Sequence, residues 1–326
     1  MKKLTLPFKV DSFVIAIIIV IGIGYIFPQW GIGQNASIIE TISTIGIAII
    51  FFLYGLKLSP DKLKEGLKNW QLHVLVQSAT FLLFPVLVLA FYPFATTEQS
   101  QAIWLAFFFL AVLPSTVSSS VVMVSIARGN VPAAIFNASI SGLIGIIVTP
   151  LWMGLFLKNV NTDFNLINIY YKLILGIILP VLMGILLQKA FGNFVREHSN
   201  KLTYFDKTII LLIIYKSFAE SFANNIFTTV NVWILFLLFV IVAILFYLMY
   251  WLTGKLASWM GFSKADSITA QFCGTKKSLV HGTVFSKVIL GSTSSLGLML
   301  LPLMLFHALQ IFIVSIIASK LSLRRD

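Results

Sequence analysis

The stretch from residue 266 to 287, DSITAQFCGTKKSLVHGTVFSK, is as long as one membrane crossing and carries Gln271, Thr275, Lys276, Lys277 and His281 in its middle. A bilayer core of roughly 30 Å is crossed by about 20 helical residues, so both lysines sit about ten residues, or ~15 Å, from either end. That depth is out of reach for a snorkelling lysine stem. Each charge at mid-depth costs about 2.5–3.5 kcal/mol, which confines such residues to a bundle interior or a watery path. Ammonium groups placed there can bind an anionic solute, stand in for a bound cation, or exchange a proton. Gly274, flanked by Cys273 and Thr275, is where the helix is expected to break.

The elements that hold these residues are membrane helices. Hydrophobic residues make up 59% of the 326, charged residues 10%, and the mean hydropathy is +0.98. The apolar runs are long and uninterrupted, unlike the short alternating strands of a barrel, so the chain is expected to be an all-α polytopic membrane protein. Its one cysteine, Cys273, removes disulfide frameworks and cysteine metal clusters and reads as a small apolar filler. Lys2 and Lys3 before an apolar run resemble a signal peptide, but Asp11 and the Phe27-Pro28 ending fit a retained first span better.

Ten spans are expected, at about 11–28, 39–56, 71–92, 102–127, 131–157, 168–190, 206–225, 231–253, 266–289 and 295–319. With the N-terminus inside, 17 basic residues face the cytoplasm: Lys2, Lys3, Lys9, Lys57, Lys62, Lys64, Lys68, Arg128, Lys189, Arg196, Lys201, Lys207, Lys255, Lys264, Lys320, Arg324 and Arg325. Only Lys158, Lys172 and Lys216 face the other side, which places both termini in the cytoplasm of a cell (inner) membrane protein. This asymmetry and contact with anionic lipid account for the net charge of +12 without nucleic acid.

Five spans per half invert the second half relative to the first, giving repeats at 1–160 and 161–326, the layout of inverted-repeat transporters. Irregular segments fall at matching positions. The fourth span contains LPSTVSSSVVMVSIARGN, with Pro114 followed by Ser115, Thr116, Ser118, Ser119 and Ser120, and the ninth contains the lysine stretch. Proline removes a backbone donor and glycine lacks a side chain, so each span has a reason to unwind. Unwound backbone at that depth must line a cavity or be buried in protein. Small residues also let membrane helices pack closely, an alternative use for the serine run.

These residues carry a family resemblance. Pro114 with the serine run, the turn Ala127-Arg128-Gly129-Asn130-Val131, Thr149-Pro150, the stretch Phe272-Cys273-Gly274-Thr275-Lys276-Lys277-Ser278-Leu279 and His307 resemble the bile acid:sodium symporter superfamily, within it the YfeH-like bacterial branch related to the seventh vertebrate member. The resemblance implies ten helices with crossed broken fourth and ninth helices. Spans 3–5 and 8–10 would form a core, and spans 1, 2, 6 and 7 a panel that rocks against it. Sodium would bind behind the crossing and a small organic anion between core and panel.

Carried over by position, the cation set, or its replacement, is Thr80, Ser119, Ser120, Asn137, Gln271, Phe272, Gly274, Thr275, Lys276 and Lys277. The substrate set is Ser115, Thr116, Ser118, Lys277, Ser278, His281 and His307. The family's shared glutamate falls on Gln271 and its glutamine on Thr275, where any sodium site would centre. Its fifth-span hydroxyl ligands fall on Ala134 and Ala138. Sodium is thus the one possible ion and no cofactor is expected, while the lysines stand open as built-in cations, anion ligands or proton carriers. Of the eleven acids, ten lie in loops or at span ends, and Glu220 alone is a candidate for burial, with Lys216 four residues away as its expected partner. The chain has no paired acids at mid-depth, no HExxH and no GxSxG in a fitting context, so the expectation is a transporter and not an enzyme, or else a regulator that keeps the transporter fold.

Overall fold

The computed structural model describes residues 12–57, 69–116, 118–157, 166–225, 232–290 and 296–324. Lys2, Lys3, Lys9, Lys62, Lys64, Lys68, Lys158 and Arg325 from the charge count, and the side chains of Ser118 and Arg196, lie outside that description. Twelve α-helices are seen among the described residues: α1 Ser12–Ile26, α2 Gln34–Lys57, α3 from Trp70–Ser78 through a wide turn at Ala79–Leu83 to Phe84–Leu89, α4 Glu98–Val112, α5 Ser118–Ile126 and α6 Val131–Leu157. They continue with α7 from Leu166–Leu173 through a second wide turn at Ile174–Ile178 to Leu179–Glu197, α8 Ser199–Ala223, α9 Val232–Trp259, α10 Lys264–Thr275, α11 Leu279–Leu290 and α12 Leu296–Ser322.

Among the described residues, six helical stretches are long and apolar enough to cross a membrane: Asn35–Lys57, Trp70–Phe94, Val131–Leu157, Ile167–Val195, Val232–Trp259 and Leu296–Ser322. They coincide with the expected second, third, fifth, sixth, eighth and tenth spans. The first expected span is the apolar but shorter α1, 15 residues long, and the seventh is α8, which carries Lys216 and Glu220. The fourth and ninth are each split in two.

Helix α4 stops at Val112 because Leu113 precedes Pro114 and is driven to extended backbone, φ −73° and ψ 151°. The break in the ninth span corrects the sequence expectation. The helix runs through Gly274 and ends at Thr275, with Lys276 extended at φ −76° and ψ 146°. Gly274 instead permits close packing: a Cβ there would lie 3.1 Å from Ala79 Cβ and 3.3 Å from Thr253 Cγ2, so its absence brings α10 against α3 and α9.

The molecule is apolar on its outside, with Ile18, Leu186, Phe236 and Trp251 exposed, while Ser115, Thr116, Thr275, Lys276, Lys277 and Gln310 are buried. This distribution suits a lipid surround. Helices α2 and α7 touch backbone to backbone: a Cβ on Gly55 would lie only 2.2 Å from the Val181 carbonyl oxygen, and one on Gly184 equally close to the Phe52 oxygen. Gly55→Ala is therefore expected to destabilise the protein by about 2 kcal/mol through overpacking, read as a lowered Tm in detergent.

Candidate functional site

The C-terminal end of α4 should leave carbonyls unpaired, and the chain satisfies them from elsewhere. Leu110 O accepts from Leu113 N–H, Val112 O from the Thr149 hydroxyl at 2.8 Å and Pro114 O from Ser278 N–H at 2.9 Å. The other two, Ala111 O and Leu113 O, accept from the Lys277 ammonium at 2.6 and 2.8 Å. The third N–H of the same ammonium donates to Thr80 O at 2.8 Å. That carbonyl is free for a local reason. In the wide turn of α3 the Phe84 N–H reaches back to Ala79 O, and the next residue, Pro85, has no N–H to offer.

All three ammonium donors of Lys277 are thus used by backbone oxygens. The ring of Phe84 lies beneath, its centroid 4.5 Å from Nζ, and the cation also faces the negative end of the α4 dipole. Backbone atoms of Lys277 are held as firmly. Its N–H donates to Gln310 Oε1 at 2.9 Å, and its carbonyl accepts from Gln310 Nε2 at 2.8 Å.

Lys276, also fully buried, is held differently. Its one hydrogen-bond partner among the described residues is Ser119 Oγ, at 2.7 Å. Ser119 donates onward to Thr116 Oγ1 at 3.0 Å, and Thr116 shares a 2.8 Å bond with Ser120 Oγ. The two breaks are tied directly as well, by Ser115 Oγ donating to Cys273 O at 2.6 Å, while Ser115 N–H donates to Ser141 Oγ on α6.

The remaining expected residues divide. Gln271 turns away from the breaks, donating to Tyr250 O at 3.2 Å and packing on Gly254 of α9. Thr275 Oγ1 is buried and finds no partner among the described residues. Asn137 bonds to His73 Nδ1 at 2.9 Å and receives the Gln77 amide, so His73 is a buried part of a polar cluster between α3 and α6. Ser278 begins α11, where its Oγ accepts from His281 N–H and pairs with His281 Nδ1 at 2.9 Å. His281 Nε2 is buried without a partner among the described residues, close to Gly142 of α6 and Tyr54 of α2. His307 pairs with Gln310 at 3.0 Å, so it supports the clamp on Lys277.

A profile of the SBF-like CPA transporter family matches residues 11–323, nearly the whole chain. The chain belongs to this family. Over 98% of its length it is 38% identical to an uncharacterised protein of Pseudomonas aeruginosa, covering 95% of that protein, and over 95% it is 34% identical to the putative symporter YfeH of Escherichia coli, covering 92%. It is also 28% identical to the sodium/bile acid cotransporter 7 of Rattus norvegicus over 94% of this chain and 91% of the relative. The family is one of multi-pass membrane transporters and not of enzymes.

The rat relative's name raises sodium as a coupling ion, and in the cage at the break of the fourth span an ammonium stands where such an ion would need oxygen ligands. Oxygen ligands at Thr80, Ala111 and Leu113 are taken by an ammonium, and Gln271 is an amide turned to another helix. Gln310 was missed in the sequence, although a carboxamide in the otherwise apolar run FHALQ is a visible signal.

Proposed function

We propose that the protein is a secondary active transporter of an organic anion, working by alternating access and carrying its own cation in place of sodium. The reading takes the ten spans as two inverted five-helix repeats. Core helices α3–α6 and α9–α12 contain the two breaks, and a panel of α1, α2, α7 and α8 moves against them. The observation that carries it is the Lys277 ammonium, whose three N–H groups bind backbone oxygens of two different helices. A covalently attached cation holds the broken helix in register without needing an ion from solution. The solute would then bind between core and panel, near Ser278, His281 and Tyr54.

The test is uptake of labelled carboxylate and sulfate-conjugate anions into proteoliposomes in sodium, in potassium and with an imposed pH gradient. Uptake equal in sodium and potassium is expected. Uptake that requires sodium would overturn the built-in cation, and absence of flux for every anion would overturn transport. The pH arm addresses Lys276, which has one hydroxyl partner and no carbonyl cage, and so is the amine placed to exchange a proton.

A further inference from the structure

Far from the breaks, four charges from three helices converge. Glu40 on α2 gives Oε2 to Lys216 of α8 at 2.7 Å and Oε1 to Lys287 of α11 at 3.1 Å. Lys216 also reaches Glu220 at 3.1 Å, and Lys287 donates to Thr44 Oγ1 at 3.0 Å and Glu40 O at 3.2 Å. The expected Lys216–Glu220 pair forms, and Glu40 and Lys287 enlarge it into a cluster whose two lysine side chains are almost buried, 11% and 13% exposed, while the Glu40 side chain is 37% exposed. The cluster lies at the end of α2 and α8 opposite Lys57 and Asp206, which pair at the other end.

Beneath the carboxylate is a cavity with room for about one water, lined also by Ser43, Ser217 and Leu296. Ser43 Oγ is buried there with no partner among the described residues. Without Glu40, two ammonium groups and this hydroxyl would face one remaining carboxylate, Glu220, leaving a net positive site in a low-dielectric setting.

We propose that Lys216 and Lys287 form an oxyanion site, filled in this conformation by the protein's own Glu40 carboxylate and open to a carboxylate or sulfate of the solute when Glu40 withdraws. The proposal extends the anion transport reading. α2 and α8 belong there to the panel and α11 to the core, so Glu40 bridges the two parts, and their separation would expose the lysines. Its test is independent of the cation at Lys277.

The experiment measures thermal stability of the purified protein in potassium acetate or potassium sulfate against potassium chloride at fixed ionic strength, for wild type and Glu40→Ala. A rise of several degrees in the variant, absent in wild type and abolished by adding Lys287→Met, is the expected result. Should Glu40→Ala not yield folded protein, Glu40→Asp, whose shorter carboxylate releases one lysine, carries the same comparison. Equal shifts in wild type and variant, meaning an adventitious ion only, or no shift in any folded variant, would overturn the site. Stabilisation by added phosphatidylglycerol but not by free acetate or sulfate would overturn it in favour of a lipid headgroup.

Discussion

Lys277→Ala is expected to lower stability by more than about 3 kcal/mol in sodium-free potassium buffer, and to regain part of it when sodium replaces potassium. The loss follows from three buried carbonyls, Thr80, Ala111 and Leu113, each deprived of a charged donor. Hydrogen bonds to charged groups are worth about 1.5–3 kcal/mol each, above the ~0.6 kcal/mol average of neutral bonds between membrane helices. The regain follows from the geometry left behind, a void ringed by backbone oxygens of the kind that replace an alkali ion's hydration shell. Lys276→Met is the matched control. Its ammonium has one hydroxyl partner, so exchanging a buried charge for an apolar chain of similar shape should change stability by no more than about 1 kcal/mol. Tm measured in detergent for both variants and wild type, in each salt, gives the answer. A sodium response in wild type equal to that in Lys277→Ala, or a Lys276→Met loss as large as the Lys277→Ala loss, would dismiss Lys277 as the resident cation.

The contrast between these neighbours shows where sequence reasoning stops. Hydropathy and residue type placed both lysines inside the bundle and paired two irregular spans, because those conclusions need only length and desolvation cost. Pro114 also announced its own break, since a pre-proline residue is extended whatever surrounds it. The second break was misplaced at Gly274, because Lys276 and Lys277 carry no local breaker. What stops that helix is tertiary, namely carbonyls on α3 and α4 that need a cation and a glutamine on α12 that takes over both backbone polar groups of Lys277. The same reason hid Glu40. A carboxylate six residues into a helix reads as a span end, and only the approach of α8 and α11 turns it into the hub of four charges. Thr80 entered the cation set by position, and it is its backbone oxygen, freed by the wide turn before Pro85, that meets the cation.

Gln310→Leu should be the second most damaging change at the site, with an expected loss of about 2 kcal/mol. Lys277 lies in unwound backbone, where neither its N–H nor its carbonyl has a helical partner, and one carboxamide serves both, at 2.9 and 2.8 Å. Leucine has nearly the same volume, so packing around the break is retained and the cost isolates the two orphaned backbone groups. About 1–3 kcal/mol for each is the ordinary penalty, reduced in a membrane because a loosened chain finds other partners. His307 reaches Lys277 only through Gln310, so His307→Leu should cost less than Gln310→Leu. Hydrogen exchange separates clamp from scaffold. Faster exchange confined to residues 276–278 in Gln310→Leu, with α12 amides unchanged, is expected of a clamp. A uniform increase along α12 would mean that Gln310 supports that helix and not the broken one.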